Sequence, residues 1–168
     1  MRSLWIAVVS AFSTFSVLPT PRYYVAAMKP YGPGGAEKIA HHRELRAGKG
    51  FETFERYTDL AGLKLPARGT ALLECICNLT ANEMFDENGS VSDPFERVLA
   101  GVDALCAQSE TLIVVTNDVG SDGVSYAPET EAYIAALGAI NRALAARADT
   151  VVELVAGIPI AVKGELPV

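Results

Sequence analysis

The stretch Thr70-Ala71-Leu72-Leu73-Glu74-Cys75 is an unbroken apolar run closed by a carboxylate. A strand that shows apolar side chains to both faces is buried on both, and such strands belong to parallel sheets covered by helices. Thr111-Leu112-Ile113-Val114-Val115-Thr116 repeats the pattern and again ends in polar residues, Asn117-Asp118. Thr150 to Ala156 supplies a third core strand, and Ile160 to Lys163 a short final one. Between these runs lie helical patterns. Asn78 to Phe85 reads as helix. Asp93-Pro94 opens another, with Phe95, Val98, Leu99, Val102, Leu105 and Cys106 at helical spacing. Glu129 to Ala148 carries Tyr133, Ile134, Leu137, Ile140 and Leu144 on one face. Strands alternating with helices imply right-handed crossovers and an α/β parallel sheet with helices on both faces. Ligands of such sheets bind beyond the carboxyl ends of the strands, the ends that bear Glu74 and Asn117-Asp118.

Towards the N-terminus, Tyr23 to Ala27 is a short β-prone run ended by the breaker-rich Lys29 to Gly35. A helix is expected from about Ala36 to Arg46, stopped by Gly48-Lys49-Gly50. Phe51 to Tyr57 alternates aromatic and polar residues, an edge-strand pattern, and leads to a short amphipathic turn at Asp59 to Leu65. The opening LWIAVVSAFSTFSVLP has the length and preceding positive charge of a signal peptide, but is too short and too rich in Ser and Thr for a spanning helix. A buried first strand, Leu4 to Val9, is the favoured reading.

Composition narrows the function classes. With 168 residues, half of them apolar, the chain can bury one core and is too short for two ordinary domains. A net charge of −6 with 14 scattered basic residues argues against a nucleic-acid partner. Three cysteines, two of them alternating as Cys75-Ile76-Cys77, read as buried thiols of a reducing, cytoplasmic compartment, and their spacing does not fit a zinc knuckle.

The chemistry-bearing candidates are few. Glu74 matches a Walker-B acid, a carboxylate after an apolar strand that positions Mg2+ near a nucleotide; an acid at an exposed strand end is the plainer alternative. Asn117-Asp118 admits simple turn chemistry. His41 and His42 are the only histidines; neighbours on a helix point about 100° apart, so one can face a ligand while the other meets solvent. A neutral imidazole can attack a nucleotide phosphate, although the residues alone favour a solvated helix-end pair. No G-x-x-x-x-G-K-[ST] phosphate loop exists anywhere, since Gly48-Lys49-Gly50 has neither the earlier glycine nor the Ser or Thr.

Taken in order, YYVAAM (23–28), KIAHHR (38–43), FETFE (51–55), ALLECICNLTANEMF (71–85), LIVVTNDVG (112–120) and ALGAINRALAARADTVVELVAGIPIAVK (136–163) resemble the bifunctional adenosylcobinamide kinase / adenosylcobinamide-phosphate guanylyltransferase family over Tyr23 to Lys163. The resemblance implies a RecA-like, P-loop-NTPase-type sheet with a short antiparallel C-terminal strand. It implies GTP or ATP as substrate with Mg2+, and phosphorylation of adenosylcobinamide followed by GMP transfer to its phosphate in cobalamin biosynthesis. By the same resemblance His41 is the GMP-accepting nucleophile. Ala26, Ala27, Met28, His42, Arg43, Glu44, Leu45, Glu55 and Glu74 line the nucleotide, Glu74 towards Mg2+, and Asp118 stands where the family usually has glutamate. A homo-oligomer, a trimer, is implied as well. The departure is at the start: the family has a glycine-rich loop before the segment equivalent to Tyr23, and this chain has SAFSTFSVLPTPR, which resembles the opening of cobalamin synthase. Residues 1–22 therefore read as an atypical apolar segment before a nucleotide-binding domain at 23–168. Loss of the loop implies impaired catalysis, the alternative being a non-catalytic nucleotide- or corrinoid-binding protein.

Overall fold

The computed structural model describes residues 3–8, 18–30, 37, 40, 44, 48–85, 91–120 and 122–166. Its centre is a seven-stranded sheet: β1 (Ser3–Val8), β2 (Arg22–Ala26), β3 (Phe51–Glu55), β4 (Thr70–Leu73), β5 (Thr111–Thr116), β6 (Thr150–Val155) and β7 (Ile158–Lys163), in the order β3-β2-β4-β5-β1-β6-β7. Every pairing is parallel except β6 with β7. The expected short antiparallel strand is thus present. The segment expected as a strand at Leu4 to Val9 is β1, hydrogen-bonded between β5 and β6. FETFE is the edge strand that its alternation predicts.

Three helices are described in full: α1 (Ile76–Met84), α2 (Phe95–Gln108) and α3 (Pro128–Arg147). Their apolar stripes, including Leu79, Val102, Leu105, Leu137, Ile140 and Leu144, pack with Val25, Ala71, Leu73, Leu112, Val114 and Val151 into one core. These sheet positions alternate with Tyr24, Ala26, Leu72 and Ile113, which form a second buried cluster with Leu18 and Phe51 packed against it. Both faces of β4 and β5 are therefore buried, as their unbroken apolar runs require. Of the helix expected at 36–46, Glu37, Ala40 and Glu44 are helical and exposed; the rest lies outside the described residues.

α1 starts two residues earlier than its sequence pattern predicts. Cys75 is extended and its Sγ accepts from the Asn78 amide at 3.4 Å, a cap that the eye does not look for in a thiol. At the amino end of the sheet, Thr70 donates its amide to Pro21 O at 2.9 Å and its hydroxyl to Pro19 O at 2.9 Å, tying the approach to β2 onto β4. Glycine is needed at position 69 for this: a Cβ there would lie 2.0 Å from Pro21 O. At the far edge, Lys163 Nζ donates to the carbonyls of Ala145 and Ala146 and so satisfies acceptors in the last turn of α3.

Candidate nucleotide site at the carboxyl ends of β2, β3 and β4

The register of the sheet aligns three of the sequence candidates. Ala26 pairs with Glu55, and Val25 pairs with Leu73, so Glu74 follows at the level of Ala26. Glu55, Ala26 and Glu74 form a row across three adjacent strands, each step about 4.8 Å. Leu72 and Ala26 belong to the cluster opposite α1, α2 and α3, and alternation puts Glu55 and Glu74 on that face too.

The backbone of the row is fixed by hydrogen bonds past the strand ends. Glu74 N donates to Val25 O at 3.0 Å and Arg56 N to Ala26 O at 2.9 Å. Asn82, buried on α1, sends its Nδ2 to Ala27 O at 2.8 Å and to Tyr57 O at 3.0 Å. One amide thus holds the exits of β2 and β3 together. Ala27 is fully buried beneath this clamp and Met28 half-buried after it. Glu55 is exposed and accepts from the Tyr57 hydroxyl at 3.0 Å. Glu74 differs: its Oε2 is buried and, among the described residues, has no hydrogen-bond partner.

A buried carboxylate oxygen without a partner costs free energy unless a ligand completes it. Mg2+ takes oxygen donors, commonly one or two carboxylates with the remaining positions filled by water and substrate phosphates. Glu74 fits that use. Among the described residues no group of three or more His, Cys, Asp or Glu gathers as a dedicated metal cage. Asp118 is exposed beyond β5. His41, His42, Arg43 and Leu45 lie outside the described residues, and Glu44 is exposed.

A second polar cluster sits on the α1–α3 side. Thr116 Oγ1 and Asn141 Oδ1 are 2.7 Å apart, Asn141 Nδ2 lies 3.4 Å from Asn117 O, and the Tyr133 hydroxyl donates to Cys77 O at 3.2 Å. Cys77 Sγ is 4.0 Å from Thr116 Oγ1 and 3.9 Å from Asn117 O. The neighbouring Cys75 thiol first, against burial and with help from Asn117, Thr116 and Tyr133, lowers the Cys77 thiol below the ordinary range. The Cys77 thiol in turn, and then burial, push Cys75 far above the ordinary thiol range. Burial first, and the neighbouring thiols next, raise the Tyr133 hydroxyl. Asn82, Thr116 and Asn141 are absent from the sequence candidates. A signal for Asn82 existed, an amide on the apolar side of a short helix next to a strand end.

Place this row of groups beyond the carboxyl ends of a parallel sheet in which β5 lies between the strand bearing Glu74 and β1, and the class is an α/β protein of the RecA-like P-loop-NTPase type. The comparison with known families makes it specific. The chain belongs to the cobinamide kinase / cobinamide phosphate guanyltransferase family, whose profile matches residues 10–162. It is 28% identical over 155 residues to the bifunctional adenosylcobalamin biosynthesis protein CobU of Escherichia coli strain K12, covering 83% of this chain and 84% of that relative. Among the described residues no helix is long and apolar enough to cross a membrane.

Proposed function

We propose that this chain acts in cobalamin biosynthesis, in the cytoplasm, transferring GMP from GTP to adenosylcobinamide phosphate through a guanylyl-histidine at His41, with phosphorylation of adenosylcobinamide as its companion activity. The observation that carries the reading is the row Glu55-Ala26-Glu74, with its orphaned Glu74 Oε2, in a chain of this family. In the first half-reaction the His41 nitrogen attacks the α-phosphorus, the N–P bond forms, and pyrophosphate leaves as the Pα–O bond breaks. In the second, a phosphate oxygen of the corrinoid displaces His41 and takes the GMP. Glu74 would hold Mg2+, which when bound neutralises charge on the phosphates. Ala26, Ala27 and Met28, fixed by Asn82, form the floor on which the nucleotide rests, and His42, Arg43, Glu44 and Leu45 are the further contacts that the family resemblance implies.

Turnover is held low by what separates β1 from β2. Residues 9–21 contain neither glycine nor lysine, and this connection passes β5 and β4 to reach β2. A parallel crossover alone needs about a dozen residues. Thirteen residues leave no length for an eight-residue phosphate loop followed by a helix. Phosphoryl and nucleotidyl transfer depend on charge clamping and positioning, which such a loop supplies. With the chain in large excess over labelled GTP and with Mg2+, adenosylcobinamide phosphate is expected to gain label slowly, as the guanylylated corrinoid. Folded chain that yields no labelled corrinoid over many hours overturns the assignment in favour of a binding protein without turnover.

A further inference from the structure

The carboxyl end of β5 lies between the strand that leads to Glu74 and β1, and the proposed transfer chemistry assigns nothing to it. Leu73 pairs with Val114, so Glu74 stands level with Val115. Continued alternation puts Asn117 on the face of Glu74, two residues further out on the neighbouring strand. With strands about 4.8 Å apart and a rise of about 3.3 Å per residue, the two α-carbons are separated by roughly 8 Å.

The turn that begins at Asn117 is tied to α3 at both ends. The Thr116 hydroxyl donates to Asn141 Oδ1 at 2.7 Å, and Asn141 Nδ2 donates to Asn117 O at 3.4 Å. Gly120 has φ +87°, and a Cβ there would lie 2.9 Å from Cγ2 of Ile134, so the turn closes directly against the helix. To satisfy the Thr116 hydroxyl alone, an acceptor at position 141 is enough. The second bond, to the first residue past the strand, is what fixes the turn. It engages the main-chain oxygen and leaves the half-buried Asn117 carboxamide to the ligand end.

We propose that Asn117 is a further contact to the nucleotide phosphates and that Asn141 is the residue that positions it, an inference resting on the nucleotide reading of Glu74. A carboxamide offers two N–H donors. Held in place beforehand, they meet a phosphate oxygen without the cost of reorganising at the moment of binding.

The test is calorimetric titration of the full chain with GTP and Mg2+, paired with hydrogen exchange of the 112–120 segment. In the wild type, GTP should slow exchange at 117–120. Asn117→Ala should weaken GTP binding about tenfold, the loss expected for one hydrogen bond to a charged group. Asn141→Asp keeps the acceptor for Thr116 but removes the donor to Asn117; it should speed exchange at 118–120 in the free chain and weaken GTP binding nearly as much. The double variant should bind no worse than Asn117→Ala, because Asn141 acts through Asn117. Additive losses overturn the positioning role. Wild type that binds GTP without slowing at 117–120, or Asn117→Ala that binds as tightly as wild type, overturns the proposal and leaves the nucleotide reading standing. Wild type that binds no GTP overturns both. Asn117 lies outside both core clusters, so Asn117→Ala decides if Asn141→Asp does not fold.

Discussion

Glu74→Gln is expected to lower single-turnover GMP transfer about 100-fold while leaving Mg2+-free nucleotide affinity nearly unchanged, because removing one preorganised electrostatic group at a phosphoryl centre costs that order of rate. The companion substitution separates function from stability. Glu74 Oε2 is buried without a partner among the described residues, so Glu74→Leu removes an unsatisfied acceptor and should raise stability by about 1 kcal/mol. For a chain of this size that is a melting temperature higher by about 2–4 °C. Thermal denaturation without ligand, beside a single-turnover assay, reads both. A destabilised Glu74→Leu would mean that the carboxylate serves the fold, and its role towards Mg2+ would fall.

The largest effect on stability is expected at Asn82. Its amide donates to Ala27 O and Tyr57 O, and Asn82→Ala withdraws the donor from both carbonyls at a buried position. Leaving such groups unpaired costs about 1–3 kcal/mol each. A loss near 3 kcal/mol should lower the melting temperature by about 6–12 °C. Because the clamp joins the exits of β2 and β3, KM for GTP should rise as well. Asn82→Asp keeps the shape but not the donors and should behave no better. Wild-type melting in both variants would show that Asn82 does not fix the row.

Much of the fold was legible because burial on two faces leaves a mark in sequence. The runs ending at Glu74 and Thr116 could be read only as strands covered on both sides, and both are. The alternation of FETFE placed it at an edge. Strand order was not legible, since periodicity reports which face is buried but not which strand lies alongside. The place of β1 between β5 and β6 emerges only from long-range pairing. Of the site, Glu74 was visible through its position after an apolar run. Asn82, Thr116 and Asn141 were not, because a buried amide or hydroxyl is satisfied by partners far along the chain. The cap made by Cys75 was missed for another reason: thiols are not among the usual N-cap residues. His41 owes its proposed role to the order of motifs around it and lies outside the described residues.

That histidine carries the central claim. Incubating the chain with labelled GTP and Mg2+, without corrinoid, and counting acid-labile, base-stable label on the protein tests it most directly. The account predicts an adduct that maps to His41, disappears in His41→Ala, and stays well below one per chain because no loop clamps the triphosphate. A stoichiometric adduct would contradict the limiting role of the missing loop, and label that survives in His41→Ala would contradict the nucleophile itself.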